Sequence, residues 1–399
     1  MDEHEAEKYR RVLNWFKGKW QPPFKIDLEL HRRCNLRCWS CSRRASPDYE
    51  RLNEISEKIE MPKDKWLSIV EEAARLGVKE WHIAGGGEPM FLPEVTLPVM
   101  KLIKKFGMLG IITTNGTLWK PEHIESTVRI GWDRIHFSID GPNPEVHDYL
   151  RNVPGTFKRV MKTIHLFNEF KNKYGTTKPM LNMNTVLSVK NYKLLPEMVK
   201  LAHTCGIDFL FVEPLIVYSK YGEELKLKDK HMKEFPKYLK KAIILAKRFN
   251  ISNNFSGLEK NLDTELIEKS SKMHEVVRDD VKRMENINAS KFLKDFLTVP
   301  CYKPWFHMTI KCDGRATSCD VPITGGDNIK DKSLVEVWNG KYFRNLRKKL
   351  LSKEIPEFCA QCNPSHASQR RRMRLEIIKM LEPKCFNELV KEVHSHGFV

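Results

Sequence analysis

Cys34-Asn35-Leu36-Arg37-Cys38-Trp39-Ser40-Cys41 follows a β-rich run at 25–30, KIDLEL. Three thiolates this close can ligate three corners of a cubane cluster, which leaves the fourth iron open to a small chelating ligand. A single zinc ion with a distant fourth ligand is the alternative, although zinc motifs more often pair cysteines as CxxC. Further β-rich runs follow at 79–84, 109–113, 134–139, 180–187 and 208–213. Helical patterns lie between them at 62–76, 92–106, 121–130, 156–174 and 191–204, most of them stopped by a glycine. Six strands alternating with helices imply an α/β protein with a parallel sheet and helices outside. Right-handed crossovers close such units into a full or partial barrel, here (β/α)6.

The remaining chain is less regular. Residues 1–22 read as a short helix and loop ended by Pro22-Pro23, and 23–222 form the barrel. Residues 223–298 are rich in Lys and Glu and read as a helical insert or connector. Residues 299–365 carry a second cysteine group, and 366–399 read as basic helices broken at Pro383. The chain has 399 residues, 41% of them hydrophobic, and a formal net charge of +18. That charge fits either a solvated basic surface or an anionic partner. No run approaches the roughly 18 apolar residues of a membrane span. The charged N-terminus lacks the apolar core of a signal peptide, so a cytoplasmic location is expected. Ten cysteines in a reducing compartment point to metal or cluster binding before disulfides.

CxxxCxxC at the end of a first strand is the signature of the radical S-adenosylmethionine (SAM) superfamily, and CNLRCWSC resembles it closely. The resemblance extends to Gly85-Gly86-Gly87-Glu88-Pro89 after the second strand, the stretch that binds the SAM amino group in the family. It implies that Cys34, Cys38 and Cys41 hold a [4Fe–4S] cluster and that Trp39 lies near the adenine. It further implies that Ser138 meets the ribose and that Arg151 meets the SAM carboxylate. Asp140 and Asn115 end strands on the same face. All these segments fall at carboxyl ends of strands, where parallel barrels place their sites.

The second group is Cys301, Cys319, Cys359 and Cys362. Four thiolates suit a closed zinc site or a full [4Fe–4S] cluster. Behind a radical SAM barrel they resemble the SPASM/twitch extension, which implies one auxiliary [4Fe–4S] cluster. The longer SPASM pattern carries more cysteines after the CxxC, whereas here only Cys385 lies beyond. Cys312 lies close enough in sequence to exchange with one of the four, and Cys205 reads as a buried hydrophobe.

By this resemblance SAM is cleaved to a 5′-deoxyadenosyl radical that takes a hydrogen atom from the substrate, with an external one-electron donor of the flavodoxin or ferredoxin type. Asp320, directly after Cys319, resembles the base of dehydrogenating relatives. The leading expectation is oxidation of a small alcohol or sugar-like metabolite, a small molecule that an anionic group would suit. Peptide modification is a second outcome, made less favourable by the two dozen or so residues ahead of the first strand. Remodelling of an anionic lipid, nucleotide or cofactor precursor is a third. A non-catalytic iron–sulfur or nucleic-acid-binding role needs neither Glu88 nor an open iron site. The run Arg370, Arg371, Arg372, Arg374, with Ile377 and Ile378 behind it, suits phosphate, an anionic membrane surface, or a solvated helix face.

Overall fold

In the computed structural model, which describes residues 2–260, 272–319 and 325–381, each of the six expected strands forms. They are β1 (Lys25–Leu28), β2 (Glu80–Ile83), β3 (Leu109–Thr114), β4 (Arg134–Ser138), β5 (Met180–Leu187) and β6 (Phe209–Pro214). They pair in parallel and in chain order, with Ile26 opposite Trp81 and Leu28 opposite Ile83 at the first junction. Ile26, Leu28, Trp81, Ile83, Ile112, Ile135, Phe137, Leu181 and Met183 point outward into one apolar core shared with the surrounding helices. The helix Lys63–Leu76 shows why these connections work. Trp66, Ile69, Val70 and Ala73 fall on one face at helical spacing and are buried. Gly77 then ends the helix at φ 79°, where a side chain is strained.

The sheet does not stop where the sequence suggested. Residues 223–298, expected to be helical, also contribute a two-residue strand β7 (Ser252–Asn253) beside β6. The Asn254 side chain fixes it there, since it accepts from Val212 N at 2.9 Å and donates to Val212 O at 2.7 Å. The second cysteine segment is likewise continuous with the barrel. Its strand β8 (His307–Ile310) runs parallel to β1, with Lys25 opposite His307. Strand β9 (Arg315–Thr317) then pairs antiparallel with β8, and β10 (Asp327–Asn328) pairs antiparallel with β9.

A second apolar core forms around this segment. The N-terminal helix Glu3–Phe16 supplies Tyr9, Val12 and Leu13, which pack on Phe296, Tyr302, Trp305, Leu350 and Ile377. The basic run at 370–374 does not present a phosphate or membrane face, contrary to that reading of the sequence. Arg370, Arg371 and Arg374 are buried, and all three converge on buried Asp280 at 3.2, 2.9 and 3.8 Å. They staple the helix Pro364–Leu381 to the helix Met273–Glu285. Arg347 is likewise buried, between Trp15 and Trp338, and donates to the carbonyls of Pro304 and Trp338. No described helix is long and apolar enough to cross a membrane.

Candidate active site

The cysteine loop leaves the carboxyl end of β1 and is fastened at several points. Cys34 N donates to Asn53 Oδ1 and Cys34 O accepts from Asn53 Nδ2. Arg44 donates to the carbonyls of Cys38 and Arg37. Trp39 N donates to Leu150 O, which lays the loop against the end of the helix Pro144–Arg151, an element the sequence reading left unassigned. Burial, and then the neighbouring Cys38 thiol, push the Cys34 thiol up to about 12 and raise Cys41 as well. Such thiols need a metal or a fixed cation to lose their protons. Arg43 is the cation that acts on Cys34, and Arg43 and then Arg151 act on Cys41; the Arg151 guanidinium lies 3.8 Å from Cys38 Sγ and 2.8 Å from Asp140 Oδ2. Burial works against its charge, but Asp140 and the cysteine thiolates outweigh this and hold it fully protonated. Asp140 is aimed in turn by Val186 N, which donates to its second oxygen.

The Gly85–Glu88 loop after β2 fits against this loop because its three glycines carry no side chains. A Cβ on Gly86 would lie 2.6 Å from His31 O, and one on Gly87 would lie 2.1 Å from Arg33 O. Glu88 N donates to Arg33 O. The Glu88 carboxylate, only 2% exposed, accepts from Thr114 Oγ1, Asn115 N and Met90 N. Most of its accepting capacity is therefore used inside the chain. These bonds tie the glycine loop to the end of β3. Burial raises its pKa to about 6 against those three hydrogen bonds. Asn115 continues the chain of contacts by donating to Asn35 in the cysteine loop. Pro89 is buried, and its carbonyl accepts from Thr96 Oγ1. Ser138 ends β4 half-buried, and its hydroxyl makes no hydrogen bond among the described residues. Trp39 packs on Tyr221 at 5.1 Å and under Arg44 at 4.4 Å.

The barrel lumen holds a set of polar residues that the motifs do not mark. Strands covered on both faces usually read as continuous apolar runs. Here every second residue is polar: Lys25, Asp27 and Glu29 on β1 and its extension, Glu80 and His82 on β2, His136 on β4, and His307 and Thr309 on β8. That alternation was visible in KIDLEL and in HMTIK. Asp27, Glu29, His82, Thr309 and Lys311 line a cavity of ≈ 520 Å³, together with Arg32, Arg43, Gly85, Gly86, Tyr218 and Arg315. This is the ordinary size of a small-molecule site, about 300–1,000 Å³. Asp27 lies on its wall. Burial would raise its pKa, but Lys25, His307 and His82 outweigh this and hold it well below the usual carboxylate range. His307 Nε2 lies 2.8 Å from Asp27 Oδ2, while its Nδ1 donates to Ser318 O at 2.8 Å.

Ser318 belongs to the wall of the second cysteine site. Cys301, Cys319, Cys359 and Cys362 line one pocket with Ser318, Lys303, Phe358 and His366. Burial raises the Cys359 thiol strongly, and each of the other three cysteines adds to the effect. Cys312 stands elsewhere. It is fully buried beside the lumen, with Sγ 3.7 Å from Glu29 Oε1, so it is not exchanged with one of the four. Cys205 packs on Met161 at the core edge, as a hydrophobe would. Asp320 and Cys385 lie outside the described residues. Among the described residues no three Cys, His, Asp or Glu side chains converge on a single-ion site.

Residues 28–200 match the family model of the radical SAM superfamily. The chain carries a radical SAM domain. Residues 301–363 of this radical SAM enzyme match the iron–sulfur cluster-binding domain called SPASM. An AdoMet-dependent heme synthase of Methanosarcina barkeri is 26% identical over 352 residues, 85% of this chain and 91% of that one. A tungsten-containing aldehyde ferredoxin oxidoreductase cofactor-modifying protein of Pyrococcus furiosus is 25% identical over 331 residues, 81% of this chain and 84% of that one. The crystal structure of Streptococcus suis SuiB bound to the precursor peptide SuiA shares the fold at a TM-score of 0.60 and 20% identity, over 86% of this chain and 70% of that one. The cofactors of these families are SAM, a radical SAM [4Fe–4S] cluster and auxiliary iron–sulfur clusters. The residues present fit them. Three thiols share a pinned loop with a cationic neighbour, a side-chain-free glycine loop lies beside it, and four more thiols face one separate pocket.

Proposed function

We propose that this radical SAM enzyme oxidises a small polar metabolite or cofactor precursor held in the lumen cavity. An alcohol carbon would lose its C–H hydrogen and its O–H proton and become a carbonyl. When bound, the cofactors supply the hydrogen-atom acceptor and, at the auxiliary site, the acceptor of the second electron. The chain does the rest. Cys34, Cys38 and Cys41 hold one cluster, with Arg151 offsetting its negative charge, and the loop Gly85–Glu88 seats SAM. Asp320 takes the hydroxyl proton beside Cys319. The lumen walls exclude bulk water and hold the reacting carbon between the two cysteine sites.

The observation that carries this reading is the position of the cavity. One side opens on Gly85 and Gly86, and the other leads through Asp27, His307 and Ser318 to the auxiliary cysteines. A charged pocket of this size suits a compact polar molecule better than an extended peptide. The names of the two long-aligned relatives, a heme synthase and a cofactor-modifying protein, favour the same class. The test is anaerobic incubation of reconstituted enzyme with SAM, reductant, and either the small-molecule or the peptide fraction of a cell extract. The small-molecule fraction is expected to stimulate 5′-deoxyadenosine formation and to yield a dehydrogenated product. Stimulation by the peptide fraction alone overturns the reading.

A further inference from the structure

We infer that the lumen edge of β8 is an anion subsite, where Lys311 and Thr309 grip a carboxylate or phosphate group of the substrate. The inference rests on the proposal that the substrate occupies this cavity, and it names the chemistry that one wall would recognise.

The charges along that wall do not balance. Glu29 is taken by Arg32 at 2.7 Å and also contacts Cys312. Asp313 is taken by Arg315, likewise at 2.7 Å. Lys311 is left over. It is 6% exposed and lines the cavity, yet its ammonium makes no ion pair or hydrogen bond among the described residues. Thr309, 4% exposed, has a buried hydroxyl with no partner either. Residues two apart on a strand face the same way, about 7 Å apart along the chain. Both therefore face the lumen together, and both line the cavity.

A buried hydroxyl without a partner is costly, and an ammonium held at the wall of a narrow cavity without a partner has lost part of its hydration. Burial depresses the Lys311 ammonium, and Glu29 offsets this only in part. An oxyanion has several acceptor oxygens and a formal charge, so one such group satisfies both side chains at once.

The test is a thermal-shift titration of the anaerobically reconstituted full chain with succinate, inorganic phosphate and neutral succinamide. A ligand that binds only the folded protein raises its melting temperature in a saturable way. Succinate or phosphate is expected to do so, and succinamide is not. A shift with succinate only assigns a carboxylate, and a shift with phosphate only assigns a phosphate. Lys311→Met is expected to weaken the effective probe about 10-fold or more, while Lys311→Arg retains most of the effect and guards against simple misfolding. Thr309→Val should weaken it by a smaller factor. The subsite is overturned if neither anion shifts the wild type, if succinamide matches succinate, or if Lys311→Met responds like the wild type. SAM cleavage by the wild type is read separately; its absence would overturn the enzyme reading and leave the anion result standing.

Discussion

Arg151 carries two jobs on one guanidinium, since it faces the Cys38 sulfur and closes an ion pair with Asp140. Replacing it with Met leaves Asp140 buried without its partner and removes the positive charge beside the thiolates. Arg151→Met is expected to lower SAM cleavage at least about 10-fold, because the loss of one partner of a buried pair is severe, while the auxiliary iron is retained; 5′-deoxyadenosine and iron assays check this. Glu88 gives a pH signature. Its pKa is raised from 4.5 to about 6. Between those values the folded chain keeps a proton that the unfolded chain has lost, so its contribution is present at low pH and disappears as the pH rises through 6. Urea unfolding of the cluster-free wild type and Glu88→Gln should show the wild type losing about 1 kcal/mol relative to the variant between pH 5 and pH 7. An unchanged difference contradicts the protonation assigned to Glu88. At this scale the sequence identified Arg151 and Glu88 as site residues but not how they act. A motif names a residue, whereas the hydrogen bonds that fill the Glu88 carboxylate come from Thr114 and Asn115 on another strand.

Elements set which loops can meet. Gly87 sits where any side chain would collide with the backbone of the cysteine loop. Gly87→Ala should displace that loop and reduce both iron at the first site and SAM cleavage, with the auxiliary iron intact. A variant with full iron and activity would show that the close approach is unnecessary. The staple of Asp280 to three arginines belongs to this scale as well. Asp280→Asn leaves three buried guanidiniums without their carboxylate and should cost about 3–5 kcal/mol in chemical denaturation. Removing the exposed Lys349–Glu354 pair should cost less than about 1 kcal/mol. The six strands and their helices were legible because apolar periodicity and glycine stops mark them. Strand β7 was not, because two residues carry no period and its anchor is the Asn254 side chain. The arginine run was misread because charge in a sequence does not reveal a buried partner 90 residues away.

Across the whole molecule, two apolar cores support two cysteine sets, and the contacts Asp27–His307–Ser318 run from the lumen wall to the pocket of the second set. The first core holds the barrel. The second gathers the N-terminal helix, the helices after 290 and the final helix around the auxiliary site, so chain segments far apart in sequence build one wall. Both cysteine sets were legible from spacing alone. The lumen was not, although its polar alternation is present in the strands, because the motifs mark strand ends whereas the alternation runs along strand faces. The position of Cys312 separates two accounts of the second set. Cys312→Ser is expected to leave the iron content unchanged, whereas Cys359→Ala should remove the auxiliary share.

The most direct test is iron and sulfide content with Mössbauer spectra on anaerobically reconstituted wild type and on the Cys34/Cys38/Cys41 triple alanine variant. About eight irons per chain in the wild type and about four in the variant are expected, because two separate thiolate sets each hold a cubane. About four irons in the wild type, all lost in the variant, would contradict an auxiliary cluster and with it the oxidation through the second site.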